Sequence, residues 1–532
     1  MAKVEFRKEQ FRWLFGGMGF HNSEATMTGL MTDEFLNERV LKSFYEISPC
    51  FTRIFGGYAN WTKEAMDEFA NYYNKTFAKA DTTIYAVPGR MPLHETHEEM
   101  EEHVQKTVKN FEYLIKEKNL RLLRYFCVTN ELSVGNEYAM MCNDLEKFKE
   151  YHHMLWRDFR KHDLDIGLVA TDCSRVQNFH QIDWATKNMD QYTALYCTHL
   201  YETNDMAFDD PSFYTYLYNI YKDLVQVAKK REKRFFLGEF GLHNSEFFTS
   251  EYMCSDVPAG YGNEKEEEEY ALMACVEQLA AMNAGSLGTV YWTFCDYPDP
   301  FLNWWGSSRE AQIRYDVGRF SGHGTDIRYN KHGMFRWGED GDYSARPTLY
   351  SVGLMAKYFK SNSRVLQFNC DDESVICGGI TNPDQSTTLC LINLKPTAEK
   401  VALNTAFSID KPMRAYQYVC GDVPYNEYND LQGYTMVDPA AEGTYELTME
   451  PHSLVLLTTD YTDRTPSAVK NVSAKGKRIK WDAVSDEEHA YYRVFKDGKQ
   501  IGSTAATYLE REVDVKAKYT VKSVDKYGNM CK

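Results

Sequence analysis

Eight short apolar or aromatic runs, each followed by a helical pattern or a long loop, predict an α/β fold whose first part is a (β/α)8 TIM barrel. From Ser363 onward the helical periodicity stops, and short β-type runs separated by Asn, Asp, Pro and Gly predict two small β-sandwiches. A chain of 532 residues exceeds what one hydrophobic core usually supports, which agrees with three domains. The expected divisions are 1–362 for the barrel, 363–461 for the first sandwich and 467–532 for the second.

The candidate barrel strands are W-L-F-G-G-M-G-F (13–20), F-T-R-I-F-G (51–56), T-T-I-Y-A-V (82–87) and L-L-R-Y-F-C-V-T-N-E (122–131). D-I-G-L-V-A-T (165–171), T-A-L-Y-C-T-H-L-Y (193–201), R-F-F-L-G-E-F (234–240) and L-G-T-V-Y-W-T-F (287–294) complete the set. Their starts lie roughly 30 to 50 residues apart, as βα units of a ~250-residue barrel with insertions would. Apolar residues recur at helical spacing over 62–79, 95–119, 143–162, 210–231 and 263–284. Pro347 opens a last helix through Tyr358, in the first turn, where its missing N–H costs little.

The first sandwich is expected from V-L-Q-F, S-V-I-C-G-G-I, T-T-L-C-L-I-N-L and S-L-V-L-L-T-T, and T-D-R-T-P-S-A (463–469) reads as a linker. The final unit resembles a fibronectin type III domain in Trp481, the Y-R-V-F-K-D-G hairpin and the closing V-D-x-x-G-N. That resemblance implies a spacer or docking module and no chemistry.

Composition removes several classes of function. With 60 Lys+Arg against 77 Asp+Glu the net charge is −17, which repels phosphate backbones and anionic lipid heads, and no basic patch offsets it. Neither a nucleic-acid nor a membrane partner is expected, and no run is long enough to span a bilayer. The oligomeric state is not encoded in any readable motif. The N-terminus M-A-K-V-E-F-R-K-E-Q lacks the apolar core of a signal peptide. Thirteen cysteines, an odd number with Cys127, Cys197 and Cys295 in or beside apolar runs and no C-x-x-C, suit packed thiols. Both features favour the cytoplasm, unless processing has removed a leader.

Catalytic groups of such a barrel sit at the C-terminal ends of its strands, where loops form a cleft above a solid core. The pair Asn-Glu occurs twice in quick succession, and only Glu131 stands at the end of the fourth run; Glu137 lies six residues on, beyond Gly135. Glu239 ends the seventh run, three βα units later, so the two carboxylates can face each other across the mouth. Glycosidic cleavage needs such a pair, one to protonate the leaving oxygen and one to attack the sugar or activate water.

With Asn130–Glu131 ending the fourth strand and Glu239 the seventh, Arg53 in the second, His199 and Tyr201 ending the sixth and Trp292 ending the eighth, the pattern resembles clan A of the retaining glycoside hydrolases. R-Y-N-K-H-G-M-F-R-W-G and R-P-T-L-Y extend the likeness toward the last helix, over roughly residues 10–360. The resemblance implies Glu131 as acid/base and Glu239 as nucleophile, with an exo-acting β-glycosidase favoured over an endo-glycanase. It further implies that Asn130 holds the sugar 2-hydroxyl, that Arg53 and Tyr201 donate to Glu239, and that Trp292 lies beneath the sugar ring. Those neighbours would favour a charged Glu239, while a more apolar setting would keep Glu131 protonated. Leu132 stands where many members carry Pro, and A-V-P-G-R ends the third strand without the His of some families. The pattern therefore points to the clan rather than to one sugar.

Blander readings stand beside these. Arg53 also suits a structural partner of any barrel carboxylate, and His199 a satisfied core histidine. Trp304 and Trp305 in N-W-W-G suit an outer sugar platform or simple packing. H-E-T-H-E-E-M-E-E-H (94–103) is not H-E-x-x-H and reads as an exposed helix start, as does E-K-E-E-E-E (264–269). G-G-M-G-F lacks the third glycine and acid of a dinucleotide fingerprint, so neither metal nor cofactor is indicated. A non-catalytic carbohydrate-binding barrel and a transglycosylase are the rival functions on this scaffold; a lyase or aldolase would need a strand-end lysine or metal cluster. The cysteine pattern predicts that all or nearly all of the 13 thiols titrate in denaturant without reductant, and recovery of only a few would overturn the cytoplasmic expectation.

Overall fold

The computed structural model describes residues 1–10, 13–26, 31–88, 96–132, 144–203, 210–243, 264–299, 328–330, 332–337, 342–409, 411–439 and 444–532. Strand β1 (Ala2–Gln10) stands apart from the barrel, which closes from β2 (Gly17–His21), β3 (Phe51–Phe55), β4 (Thr83–Val87), β5 (Leu123–Cys127), β6 (Gly167–Ser174), β7 (Leu195–Thr203), β8 (Arg234–His243) and β9 (Gly288–Tyr291). All neighbours are parallel, and β9 returns to β2 with Gly17 opposite Gly288. Each expected run contributes one barrel strand. The fourth ends earlier than its sequence suggests, at Cys127, so Asn130 and Glu131 stand in the turn above it.

The helices form where the apolar spacing places them, and their ends are fixed by side chains. Thr62 accepts from the Ala65 N–H to open Lys63–Lys75, and Thr96 with Glu99 makes a reciprocal capping box ahead of His97–Glu112. From Thr96 on, the histidine-rich segment is thus a helix start, with exposed His97 paired to Glu150 at 2.7 Å. Leu145–Lys161, Ser212–Lys229, Glu264–Ala284 and Val352–Tyr358 follow. Leu41–Ile47 and His180–Asn188 are short helices that the periodicity reading passes over. Among the described residues no helix is long and apolar enough to cross a membrane, and the described cysteines are unpaired.

Beyond the barrel, β12 (Arg364–Cys370), β13 (Val375–Thr381), β14 (Thr387–Asn393), β15 (Glu399–Thr405), β16 (Met413–Val419), β17 (Thr435–Val437), β18 (Thr444–Met449) and β19 (Ser453–Thr458) form the sandwich; the short pair β10 (Tyr297–Asp299) and β11 (Arg328–Asn330) precedes them. β1 inserts between β12 and β15, so the first residues of the chain lie in the sandwich sheet. Its alternation explains this: Ala2, Val4 and Phe6 are buried against Leu389, Leu403 and Tyr445, while the residues between them face out. β14 and β19 are buried along their whole length, because one face meets that inner core and the other the barrel helices. Ile392, Leu454 and Tyr416 belong to the same continuous core as the barrel, and Asn283 donates to the Cys377 carbonyl at 2.8 Å.

The last unit consists of two three-stranded antiparallel sheets, 473–475/478–480/508–510 and 489–496/499–504/519–525, around Ile479, Trp481, Tyr492, Val494 and Leu509. It docks through buried charge. Lys42, wholly buried on the barrel helix Leu41–Ile47, donates to Glu46 at 2.7 Å and lies 3.0 Å from Asp430 of the sandwich. Asp430 also faces Arg493 of the last unit at 3.1 Å, and Tyr491 donates to Glu46 at 3.3 Å. One ion cluster therefore joins all three parts of the chain. Lys42→Met keeps the volume but leaves Glu46 and Asp430 short of a cation, and should lower the unfolding free energy by about 3–5 kcal/mol in urea denaturation. A loss below about 1 kcal/mol would mean that the junction does not depend on this charge.

Candidate active site

Arg53 is the buried centre of the barrel mouth. It points inward from β3, with its guanidinium against the rings of Phe55 and Tyr85, 4.9 and 5.5 Å from their centroids. Nη1 donates to Glu239 Oε2, and Nη2 donates at 2.6 Å both to Asn130 Oδ1 and to Asp172 Oδ2. Tyr201 donates its hydroxyl to the other oxygen of Glu239 at 2.5 Å. His199 stands between the glutamates: its Nδ1 is 3.0 Å from Glu131 Oε1 and 3.7 Å from Glu239 Oε2, while Nε2 is 2.9 Å from Asp172 Oδ1.

Backbone irregularities aim these groups. Between β7 and β8 the register runs from Thr198 opposite Leu237 to His199 opposite Glu239, leaving Gly238 as an extra residue. This bulge turns Glu239 into the mouth. A methyl on Gly238 would collide with Cys197 Sγ, so the close approach requires glycine. A second bulge between β6 and β7 leaves Asp172 unpaired in the register, with φ 58°, a left-handed conformation that Asp tolerates better than most residues. Glu131 also has positive φ, 48°, in the turn above β5. A bulky non-glycine residue held there stores strain of the kind found at functional sites.

The electrostatics differ from the sequence expectation. Burial pushes the Glu239 carboxyl up from its usual range; the His199 charge and then Arg53 pull it down, Glu131 pushes it up again, and the Tyr201 hydrogen bond lowers it. Arg and phenol alone therefore do not set its charge. Burial would lower His199, but Asp172 and Glu239 more than offset it and lift the imidazole to about 9. Asp172 resists its own burial because Arg53 and His199 hold its carboxyl well below the usual range. His21 is pushed far down by burial and by Arg53, and is neutral.

Glu131, His199 and Glu239 each present one atom within 4.8 Å of the others, as do Asp172, Cys197 and His199. In both sets the carboxylates already lie against Arg53 or the His199 ring, so part of their charge is met within the chain. The structure thus brings Asn130, Glu131, Arg53, His199, Tyr201 and Glu239 together. Trp292 follows β9 and packs against His21 at 4.4 Å and Phe55 at 5.4 Å. Trp304, Trp305 and Glu137 lie outside the described residues. The sequence reading misses Asp172, Tyr85, which donates to it at 2.7 Å, and His21. Asp172 carries the signal that marks Glu239, an ionisable residue directly after an apolar run, but the fifth apolar run, 165–171, ends one residue before it.

A folded-state value above the unfolded one means that His199 stabilises the fold below pH about 6.5 and that this contribution fades as pH rises toward about 9. At about 1.4 kcal/mol per unit, the wild type should lose on the order of 3 kcal/mol across that window relative to His199→Gln. Parallel urea unfolding curves for the two proteins over the same pH range would show instead that the imidazole is not charged in the fold.

No protein-family model and no curated protein matches the sequence. Solved structures do match its fold. A glycoside hydrolase family 30 subfamily 8 xylanase from Clostridium acetobutylicum is 12% identical, with a TM-score of 0.57, over 86% of this chain and 99% of that one. An alpha-L-arabinofuranosidase from Thermotoga maritima is 11% identical, with a TM-score of 0.58, over 86% and 100%. An endo-beta1,6-glucanase is 12% identical, with a TM-score of 0.55, over 86% and 93%. At these identities the likeness concerns the fold, a TIM barrel with an attached β-sandwich, as the sequence resemblance to clan A implies.

Proposed function

We propose that the chain is a glycoside hydrolase that cleaves a β-linked sugar with retention of configuration, through a covalent intermediate on Glu239. The observation that carries this is the separation of the two glutamates, whose nearest oxygens lie within 4.8 Å of each other at the mouth of the barrel. Retaining enzymes hold their carboxyl groups about 5–5.5 Å apart, whereas inverting enzymes leave about 6.5–9.5 Å for a water molecule. A gap this short favours direct attack.

In this reading Glu239, held at both oxygens by Arg53 and Tyr201, attacks the anomeric carbon while Glu131 gives its proton to the departing oxygen. The sugar–enzyme ester is then cleaved by water, from which Glu131 takes a proton back. Asn130 has its amide oxygen committed to Arg53, which leaves the NH2 as the group suited to donate to a sugar hydroxyl. Trp292 contributes apolar surface beside this polar cluster, as sugar rings require.

Replacing Glu239 by Gln should remove nearly all turnover of every aryl glycoside, a loss of about 10⁴-fold or more, because no other described group is placed to attack. Glu131→Ala should spare substrates with good leaving groups and regain rate with azide, which replaces the activated water. A panel of aryl β-glycosides of several sugars identifies the substrate, and NMR of the first-formed sugar gives its configuration. An inverted product, or a Glu239→Gln enzyme as fast as the wild type, would end this reading.

A further inference from the structure

The two-glutamate mechanism gives no task to Asp172, nor to the second ring nitrogen of His199, although both are completely buried beneath the cleft. We propose that Asp172 is a positioning residue that holds His199 as a permanent imidazolium, and that this fixed cation serves the two glutamates in turn. It keeps Glu239 ionised before attack, and it meets the negative charge that appears on Glu131 as the proton leaves. The proposal rests on the hydrolase reading above and extends it to the control of charge within the site.

Geometry carries the inference. Both His199 ring nitrogens face carboxylate oxygens, Asp172 at 2.9 Å on one side and Glu131 at 3.0 Å with Glu239 at 3.7 Å on the other. A neutral imidazole has one N–H and one lone pair: with its proton toward Asp172, the lone pair would face the Glu131 carboxyl, which donates to it only while protonated, and the Glu239 carboxylate at 3.7 Å. The doubly protonated ring sets a cation against all three carboxyl groups, at Nε2 by charge and proximity rather than by an aligned hydrogen bond. Asp172 is fixed for this purpose by Arg53, by the Tyr85 hydroxyl at 2.7 Å and by the Cys197 thiol at 3.1 Å. Its bulged, left-handed backbone brings the carboxylate inward rather than along the ladder.

Among the described residues, the groups facing this cluster from the surrounding strands are His21 on β2, Arg53 on β3, Tyr85 on β4, Cys127 on β5, Asn130 and Glu131 above β5, Cys173 on β6, Cys197 and Tyr201 on β7, and Glu239 on β8. His21 is held neutral, and burial pushes the phenols of Tyr85 and Tyr201 and the thiols of Cys127, Cys173 and Cys197 upward, so these add no charge near neutral pH. The cations are Arg53 and His199; the anions are Asp172, Glu239 and, when ionised, Glu131. Of the charges that draw the Glu239 carboxyl down, His199 acts most strongly. As attack proceeds, negative charge leaves Glu239 and appears on Glu131. The same ring lies beside both, so the cluster needs no rearrangement during the step.

Two measurements test this. The first is the pH dependence of kcat/KM for an aryl β-glycoside that the wild type hydrolyses and Glu239→Gln does not. Absence of any such substrate removes the hydrolase reading, not merely this extension. With that substrate, Asp172→Asn removes the charge that sustains the imidazolium. Its acid limb should move about one unit or more to higher pH, costing about tenfold at the acid end and far less at the alkaline end. His199→Gln should move the same limb in the same direction. An equal loss at every pH, with both limbs in place, overturns the proposal while leaving the hydrolase reading standing. The second measurement needs no variant to fold: ring-nitrogen NMR of the wild type should show His199 doubly protonated at about pH 7 and still so near pH 8. A neutral His199 at about pH 7 overturns the proposal.

Discussion

The buried guanidinium of Arg53 is the interaction on which the rest of the site depends. An isolated charge at the top of an apolar barrel is strongly disfavoured, and it persists only when hydrogen-bonded anions surround it. Here two carboxylates and an amide oxygen do so, from β8, from β6 and from the turn above β5. These partners come from segments widely separated in sequence, so the cluster forms only once the barrel has closed. Once formed, it fixes Glu239, Asp172 and Asn130 relative to one another, because a planar guanidinium dictates where each acceptor must lie.

Such a cluster tolerates little movement, and the fold around it is tied together accordingly. The barrel core continues without a break into the outer face of the sandwich. β1 brings the start of the chain into that sandwich and then leads directly to β2, so the first barrel strand is tethered at its entry. At the junction, Lys42, Glu46, Asp430 and Arg493 repeat on a smaller scale the device seen at the mouth: buried charges from separate segments that satisfy one another only in the assembled chain. The segment 463–469 reads as a linker in sequence, yet the unit it leads to is docked through this cluster rather than loosely tethered.

What the sequence makes legible follows from how local the signal is. The barrel strands are apolar on both faces and stand out as continuous runs, so all eight are found, as are the long helices with one apolar stripe. Glu131 and Glu239 are visible because each ends such a run, and Arg53 because a charge within one is unusual. β1 has a clear two-residue alternation, but its partners lie some 360 to 400 residues away in sequence, and no local pattern names them. Asp172 escapes for a different reason. Its strand continues through it by a bulge, whereas the apolar run ends at Thr171 and leaves the next residue unmarked. The charge state of Glu239 depends on burial and on several neighbours at once, which a list of nearby residue types does not resolve.

The two glutamates are chemically identical, and the different roles proposed for them rest on how each is held. Glu239 lies in a strand, 5% exposed, with one oxygen fixed by Arg53 and the other by Tyr201, so its carboxylate has a single orientation and faces donors on both sides. That suits a nucleophile, whose lone pair must be aimed at one carbon. Glu131 lies in a turn, its side chain 16% exposed, with His199 its one hydrogen-bond partner among the described residues. Such sparse fixing serves the acid/base role proposed for it, because proton transfer there would dismantle no network. Had the network been built around Glu131 instead, each proton transfer would have broken several buried hydrogen bonds. With Arg53 and Tyr201 on Glu239, and only the His199 ring between the two, the proposed acid/base role falls to the carboxyl with fewer fixed partners.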